Sequence, residues 1–286
     1  VIVGGGAGGL ELATRLGKSY RKDENVSVTL VDKNRTHIWK PKLHEIASGS
    51  MDFGDHEVDY MAHAHWNHFI FRIGELNGLD RVNKTIDLAP YLDIDNSPVT
   101  PVQKISYDTL VICIGSLSND FGTTGVKAHA LKLENQTDAK LFHSKMVNAC
   151  IRAHHQSDRI DQSQLHVVII GAGATGVELA AELHRTTREV VAFGLDGIDA
   201  DKDLKISLIE AADRILPALT PRLSHATEQL ISRLGVHVHT HSKVMEVMPK
   251  GIRLSDGQVI ESELVVWAAG VKAPDSVNSF CAISFN

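Results

Sequence analysis

Gly4-Gly5-Gly6-Ala7-Gly8-Gly9-Leu10-Glu11-Leu12-Ala13 returns far along the chain as Gly171-Ala172-Gly173-Ala174-Thr175-Gly176-Val177-Glu178-Leu179-Ala180, and the copies differ only at Gly5/Ala172, Gly8/Thr175 and Leu10/Val177. Each copy follows a short apolar, β-branched run, Val1-Ile2-Val3 and His166-Val167-Val168-Ile169-Ile170. Such runs suit parallel strands buried on both faces. Each copy then opens a segment of helical apolar spacing, Leu10 to Leu16 and Val177 to Leu183. Beyond each helix a second strand ends in an acid: Val28-Thr29-Leu30-Val31-Asp32 and Ile206-Ser207-Leu208-Ile209-Glu210. The order is strand, glycine turn, helix, strand, acid, twice.

The halves also end alike. Ile105 to Gly115 and Val259 to Gly270 each carry a short amphipathic strand leading into a strand expected to be buried and to end at glycine. Alternating segments before these, Lys84 to Leu88 and Lys243 to Leu254, give each half a small antiparallel meander, and Ser255-Asp256-Gly257 signals a hairpin. The fold class is α/β: two Rossmann-like dinucleotide-binding units, each with a parallel sheet and a small antiparallel meander. Between them Ala139, Phe142, Met146, Val147 and Ile151 fall at helical spacing. The expected division is a first domain over residues 1–134, a connector over 135–164, a second domain over 165–270 and a tail over 271–286.

A G-x-G-x-x-G between strand and helix has a mechanical use. The first glycine makes the turn, the second admits a pyrophosphate close to the backbone, and the third lets helix pack on strand, so that the helix N-terminus faces the phosphates. Gly4, Gly6 and Gly9 fit this pattern, as do Gly171, Gly173 and Gly176. Asp32 and Glu210 are placed to accept hydrogen bonds from a ribose hydroxyl, and Glu210 would repel a 2′-phosphate, favouring NADH over NADPH. Arg214 is close enough in sequence to approach a phosphate, which weakens that preference. The excursion from Gly176 to Glu210 is longer than the usual one of roughly 20 residues, and Val190 to Asp203 supplies the extra length. Glu11 and Glu178 are expected in the first helical turn, where an acid gains from the helix dipole, but an anion so close to bound pyrophosphate needs a compensating reason.

Composition narrows the function. Lys+Arg at 29 against Asp+Glu at 35 leaves a net charge of −6, with no basic footprint for nucleic acid. The 286 residues suffice for two cores, and no apolar run approaches the roughly 18 residues of a membrane-spanning helix. Cys113, Cys150 and Cys281 are scattered and odd in number, with no C-x-x-C pair, so neither a disulfide framework nor a thiolate metal site is expected, and a reducing compartment is the default. His237, His239 and His241 alternate as on one strand face, and His63, His65 and His68 cluster beside Trp66 and Phe69. Lacking acidic or cysteine partners at ligand spacing, neither group is expected to bind metal. Val1-Ile2-Val3 already reads as a strand, with no basic leader or Met before it, which suggests a trimmed start.

Tandem units of this kind resemble the two-dinucleotide-binding flavoproteins. More closely, His37-Ile38-Trp39-Lys40-Pro41-Lys42-Leu43-His44-Glu45-Ile46-Ala47-Ser48-Gly49-Ser50, Tyr107 to Phe121, Gly171 to Leu183, Arg214-Ile215-Leu216-Pro217 and Val266 to Pro274 resemble the bacterial type II NADH dehydrogenases. These are single-subunit, non-proton-pumping NADH:quinone oxidoreductases of the respiratory chain, within the FAD-dependent pyridine nucleotide-disulfide oxidoreductase superfamily. The resemblance implies FAD in the first domain, held by Gly4, Gly6, Ala7, Gly8, Gly9, Asp32 and Lys33, with Lys40 and Gly115 nearer the flavin. It implies NADH in the second, held by Gly171, Gly173, Thr175, Gly176, Glu178 and Glu210, with Ala269 and Gly270 closing the site. Glu178 would stand where nicotinamide meets flavin and take part in catalysis. A quinone would be the electron acceptor, the protein would lie peripherally on the cytoplasmic face of the bacterial inner membrane, and a homodimer is compatible. The family's later flavin and quinone motifs and its C-terminal membrane helices have no counterpart after Pro274, so the resemblance implies a chain shortened at that end.

Three rivals share the fold. Disulfide reductases need an exchangeable thiol pair near the flavin, and His37 to Ser50 contains no cysteine. Sulfide-oxidising quinone reductases also use cysteines, whereas Cys113 falls in a strand expected to be buried, where packing is the simpler role. A ferredoxin or rubredoxin reductase is compatible with the fold alone. From another class, the chain could be a non-catalytic nucleotide-binding remnant.

Overall fold

A computed structural model describes residues 1–52, 54 and 56–274. Among the described residues the chain divides into two compact units, 1–40 and 54–117 with Ala273 and Pro274, and 41–52 with 118–272. The linear division expected at 134 and 165 therefore gives way to one in which the chain crosses between units several times. Long-range packing decides this. The helix Leu43–Ser48 joins the second unit, and so does Leu131–Lys132, which extends that unit's sheet.

In the first unit, β1 (Ile2–Val3) leads into α1 (Ala7–Tyr20) and β2 (Thr29–Asp32). Then come α2 (Tyr60–Asn67), β3 (Ile70–Ile73), a meander of β4 (Leu76–Asp80), β5 (Thr85–Leu88) and β6 (Gln103–Ser106), and finally β7 (Val111–Ile112). The sheet order is β3-β2-β1-β7, parallel throughout, with Ile2 opposite Leu30 and Val111, and Val3 opposite Val31 and Ile112. The pleat divides the core in two. Ile2 and Leu30 pack with Leu10, Ala13, Tyr60, Ala64 and Phe69, while Val3 and Val31 pack with Ile86 and Leu88 of the antiparallel meander. Val111 and Ile112 are only half-buried, contrary to expectation, because β7 is an edge strand among the described residues.

The second unit repeats the plan. It comprises β8 (Leu131–Lys132), α3 (Gln136–His155), β9 (His166–Ile170), α4 (Ala174–Ala192), β10 (Lys205–Ile209), α5 (Pro221–Arg233) and β11 (Val236–His239). These are followed by β12 (Val244–Met248), β13 (Gly251–Leu254), β14 (Val259–Glu261) and β15 (Leu264–Trp267). The order β8-β15-β9-β10-β11 is again all parallel, and β12-β13-β14 form the antiparallel meander with the expected turn at Ser255 to Gly257. Val168, Ile170, Ile209, Val265 and Trp267 meet Val244, Val247, Ile252, Leu254 and Ile260 in one core. The connector helix α3 forms with Asn135 as its N-cap, its side chain accepting the Asp138 N–H at 3.0 Å. Its buried stripe is Ala139, Phe142, Met146, Ala149, Cys150 and Ala153, and Ile151, expected inside, is exposed.

His166, at the start of the central strand β9, is buried yet satisfied. A carbonyl can only accept, so Nδ1–H donates to Glu261 O at 2.7 Å, and in the neutral ring Nε2 accepts from the Ser207 hydroxyl at 2.9 Å. Burial holds its pKa below the ordinary 6.5. The unfolded chain protonates this histidine from about pH 6.5 downward while the folded chain resists, so its contribution to stability is complete above 6.5 and declines as the pH falls. Thermal unfolding should show a midpoint that drops between pH 7.5 and 5.5 in the parent, and a smaller drop in His166→Asn.

Candidate functional site

In the first unit Gly4 takes φ of +101°, which turns the chain off β1, and its N–H donates to Val31 O at 2.8 Å. The next N–H, of Gly5, donates to Asp32 Oδ2 at 2.6 Å, and Asp32 Oδ1 accepts from Asn34 N at 2.8 Å and Asn34 Nδ2 at 3.1 Å. The carboxylate thus ties the turn to the end of β2. The buried Tyr60 hydroxyl donates to Gly5 O at 2.6 Å, and burial pushes the phenol pKa well up, so it stays a donor. A Cβ on Gly9 would run into the carbonyl oxygen of Gly4, whereas Gly6 and Gly8 face open space. Leu10 N–H makes the first helical bond, to Gly6 O at 2.9 Å, so the N–H groups of Ala7, Gly8 and Gly9 lie ahead of it at the helix N-terminus. That arrangement suits an anion.

The second unit reproduces each element. Gly171 also takes φ of +101°, and its N–H donates to Ile209 O at 2.8 Å. Glu210 Oε2 accepts from Ala172 N and Oε1 from Ala212 N, both at 2.9 Å, leaving each oxygen a further lone pair for a ribose hydroxyl. A Cβ on Gly176 would run into Gly171 O, Gly173 faces open space, and Thr175 is exposed beside it. Ala269 follows β15, and its backbone lies so close to Gly171 that a Cβ there would come within 2.7 Å of it. Gly270, at φ of +65°, accepts Asn119 N–H at 3.3 Å, while Trp267 Nε1–H lies 2.9 Å from both Asn119 O and Ala269 O. Leu216 N–H donates to Ala172 O at 2.7 Å, which docks the Arg214 to Pro217 segment on the turn. Arg214 Nη1 donates to Asp213 and Nη2 to the Pro217 carbonyl, while its buried Nε has no partner among the described residues. Spacing gave no sign of Tyr60 or Leu216, which reach the turns only through tertiary packing, or of the Trp267 bonds to Asn119 and Ala269.

The remaining candidates fall into place around these turns. Lys33 is exposed and pairs with Glu75 at 3.3 Å, and Lys40 Nζ donates to Ser116 O at 2.6 Å, beside Gly115 with φ of +74° and open space at its Cα. Glu11 and Glu178 stand in the second helical turn rather than the first, since the helices begin at Ala7 and Ala174, and a dipole effect fades within one turn. Of the histidines, His63 Nε2 contacts Thr14 Oγ1 at 2.9 Å, His65 packs edge-on to Trp66, and His68 caps α2 in the left-handed conformation. His241 lies past the end of β11 at φ of +54°, so it does not extend the face of His237 and His239. Among the described residues, no group of three or more His, Cys, Asp or Glu is placed to hold a metal. Burial raises the pKa of the Cys113 thiol and, with Glu263 nearby, pushes Cys150 up to about 11, the reverse of the shift that activates a thiolate. Cys281 lies outside the described residues.

Two parallel sheets that each carry a glycine turn, an open helix N-terminus and an acid tied to the turn define a two-dinucleotide oxidoreductase fold. A family model described as pyridine nucleotide-disulphide oxidoreductase matches residues 1–281. The chain is 37% identical over 298 residues to a type II NADH:quinone oxidoreductase of Haemophilus influenzae, covering 100% of this chain and 67% of that protein. It is 29% identical over 279 residues to the type II NADH:quinone oxidoreductase NdhA of Mycobacterium tuberculosis, covering 96% and 56%. The solved structure of NDH2 from Plasmodium falciparum in complex with NADH has the same fold, with a TM-score of 0.81 at 24% identity over 96% of this chain and 55% of that one. The chain belongs to the pyridine nucleotide-disulphide oxidoreductase family and, within it, to the type II NADH:quinone oxidoreductases. It spans between 56% and 67% of the length of these two curated relatives.

Gly176→Ala should lower stability by about 1 to 3 kcal/mol, because the added methyl meets backbone rather than a movable side chain. Gly173→Ala should unfold like the parent yet weaken dinucleotide binding, since its methyl fills only the space before the helix N-terminus. Denaturant titration and NADH titration of both variants separate the two effects.

Proposed function

We propose that the whole protein oxidises NADH through bound FAD and delivers the electrons to a membrane quinone, NADH + H⁺ + quinone giving NAD⁺ + quinol. The observation that carries this is the repeated cradle: one chain provides two dinucleotide sites, as an enzyme must when donor and redox cofactor are both dinucleotides. FAD, when bound, accepts a hydride and passes electrons onward singly or in pairs. Gly4, Gly6, Ala7, Gly8 and Gly9 would hold its pyrophosphate and Asp32 its ribose, with Lys33 at the rim and Lys40 and Gly115 toward the ring. Gly171, Gly173, Thr175 and Gly176 would hold NADH, with Glu210 on the adenosine ribose and Ala269 and Gly270 bounding the site. Glu178 is the side chain assigned to the reacting end.

These residues bind, orient and exclude water, and the chemistry needs no side-chain nucleophile. That is consistent with thiols whose pKa values are raised rather than lowered. No helix among the described residues is long and apolar enough to cross a membrane. We place the protein peripherally on the cytoplasmic face of the inner membrane, attached through parts outside these residues and compatible with a homodimer.

Purified protein should show flavin absorbance bands that bleach anaerobically on NADH addition and recover with a soluble quinone. Absent flavin, or flavin that NADH does not bleach, would favour a nucleotide-binding remnant, and recovery only with ferredoxin or rubredoxin would favour those reductases. Glu210→Gln should raise the KM for NADH and narrow the preference over NADPH by about 1 to 3 kcal/mol. An unchanged NADH/NADPH ratio in steady-state kinetics would remove Glu210 from the ribose site.

A further inference from the structure

The parallel sheet of the second unit has two ends, and its glycine turn uses only one. Ligands of open α/β sheets gather at the carboxyl ends of the strands, where β9 runs into Gly171 and β10 into Glu210. At the opposite end, among α3, α4 and the starts of β9, β10 and β11, lies a cavity of about 220 Å³. Leu165, Val167 and Ile206 from the strands, Leu183 of α4 and Met146 of α3 line it with buried apolar side chains. Ala200, Asp201 and Lys202 also line it, and they belong to the extra length between Gly176 and Glu210 that holding a dinucleotide does not require.

Apolar lining alone would make this a packing gap. Its mouth, however, is charged and fastened. Arg188 Nη1 pairs with Asp201 at 2.5 Å and Arg188 Nε donates to His184 Nε2 at 3.0 Å, which ties the inserted segment to α4. Burial, with Arg188 beside it, lowers the pKa of His184, so the ring stays an acceptor at neutral pH. Lys202 pairs with Asp199 at 2.5 Å. Lys205 is differently placed: its Nζ reaches the Gln162 carbonyl at 3.5 Å and forms no ion pair among the described residues. Arg188, Lys202 and Lys205 stand against Asp201 as the one carboxylate of the lining, so the mouth is positive on a chain whose net charge is −6. The complement is an anion.

Size narrows the class. A cavity of roughly 150 Å³ accepts benzene, whereas drug-sized ligands ask for roughly 300 Å³ or more. The volume between those limits holds one ring with a short charged group and excludes a nucleotide.

We infer that this cavity is a second ligand site, taking a small monocarboxylate whose single apolar ring packs on Leu165, Leu183 and Ile206 and whose carboxylate meets Lys205. The α4 residues that line it lie roughly 14 to 21 Å along the helix axis from Ala174, so its ligand and a dinucleotide at the turn do not compete.

The probe is 4-fluorobenzoate, titrated by fluorine NMR into the parent protein, Lys205→Met and Ala200→Leu, with thermal unfolding as the folding control. Met keeps the Lys205 stem and removes its charge, and Leu at position 200 fills the cavity from the inserted segment. We expect saturable binding to the parent with a Kd of about 1 mM or below. Lys205→Met should weaken it about tenfold, the size of one charge-assisted hydrogen bond, and Ala200→Leu should weaken it at least as much. The uncharged 4-fluorobenzamide should bind about tenfold more weakly than the benzoate, and trifluoroacetate, which has the charge without the ring, should not saturate. Excess NADH should leave probe binding within about twofold. No saturable binding, equal binding of the amide or of trifluoroacetate, affinity unchanged in both folded variants, or displacement by NADH would each overturn the inference, and none of these results bears on NADH oxidation.

Discussion

Each half depends on one interaction, the carboxylate at the end of the second strand receiving the N–H that follows the first glycine of the turn. Asp32 does this for Gly5 and Glu210 for Ala172. The bond locks the left-handed residue, Gly4 or Gly171, against the neighbouring strand end. The helix then starts with its free N–H groups facing outward. Without that tie, a glycine-rich segment would have many accessible conformations and no fixed direction for the helix. In each half the carboxylate also keeps a lone pair that these bonds do not use. That tie explains why the acid is found at the same place in both halves although the intervening segments differ in length.

The local plan was legible in the sequence because it is written at short range. Turn, helix and strand follow one another within each unit, and hydrophobic periodicity reports them directly. What was not legible depends on who the neighbours are. The run Val111 to Ile114 has the composition of an interior strand, yet it lies at a sheet edge and is half-buried. In α3 the apolar spacing included Ile151, but the face that docks runs through Ala149, Cys150 and Ala153, small residues that allow close approach. The segment from Pro41 to Asp52 follows a first-unit strand in sequence and packs with the second unit, a choice made by contacts to helices far along the chain. The acids Glu11 and Glu178 were displaced by one turn because helix starts are set by the glycine geometry, which places the N-caps at Gly6 and Gly173.

The duplication also serves as an internal control on chemistry, because positions that match between halves share a geometric duty. Cys113 is an example, since its backbone adjoins the first turn. A Cβ on Gly4 would meet the carbonyl group of Cys113 and the Ile114 nitrogen, and a Cβ on Gly171 would meet Ala268 and Ala269 in the same way. Cys113 therefore corresponds to Ala268. The place calls for a small side chain beneath the turn, where a Cβ on Gly9 would also come within 3.1 Å of the Cys113 Cβ. Alanine meets that need in one half and cysteine in the other. A residue whose counterpart is alanine, and whose thiol burial makes harder to ionise, suits packing rather than thiolate chemistry. The duplicated turn therefore carries the same small-residue requirement in both halves, whatever the side chain that meets it.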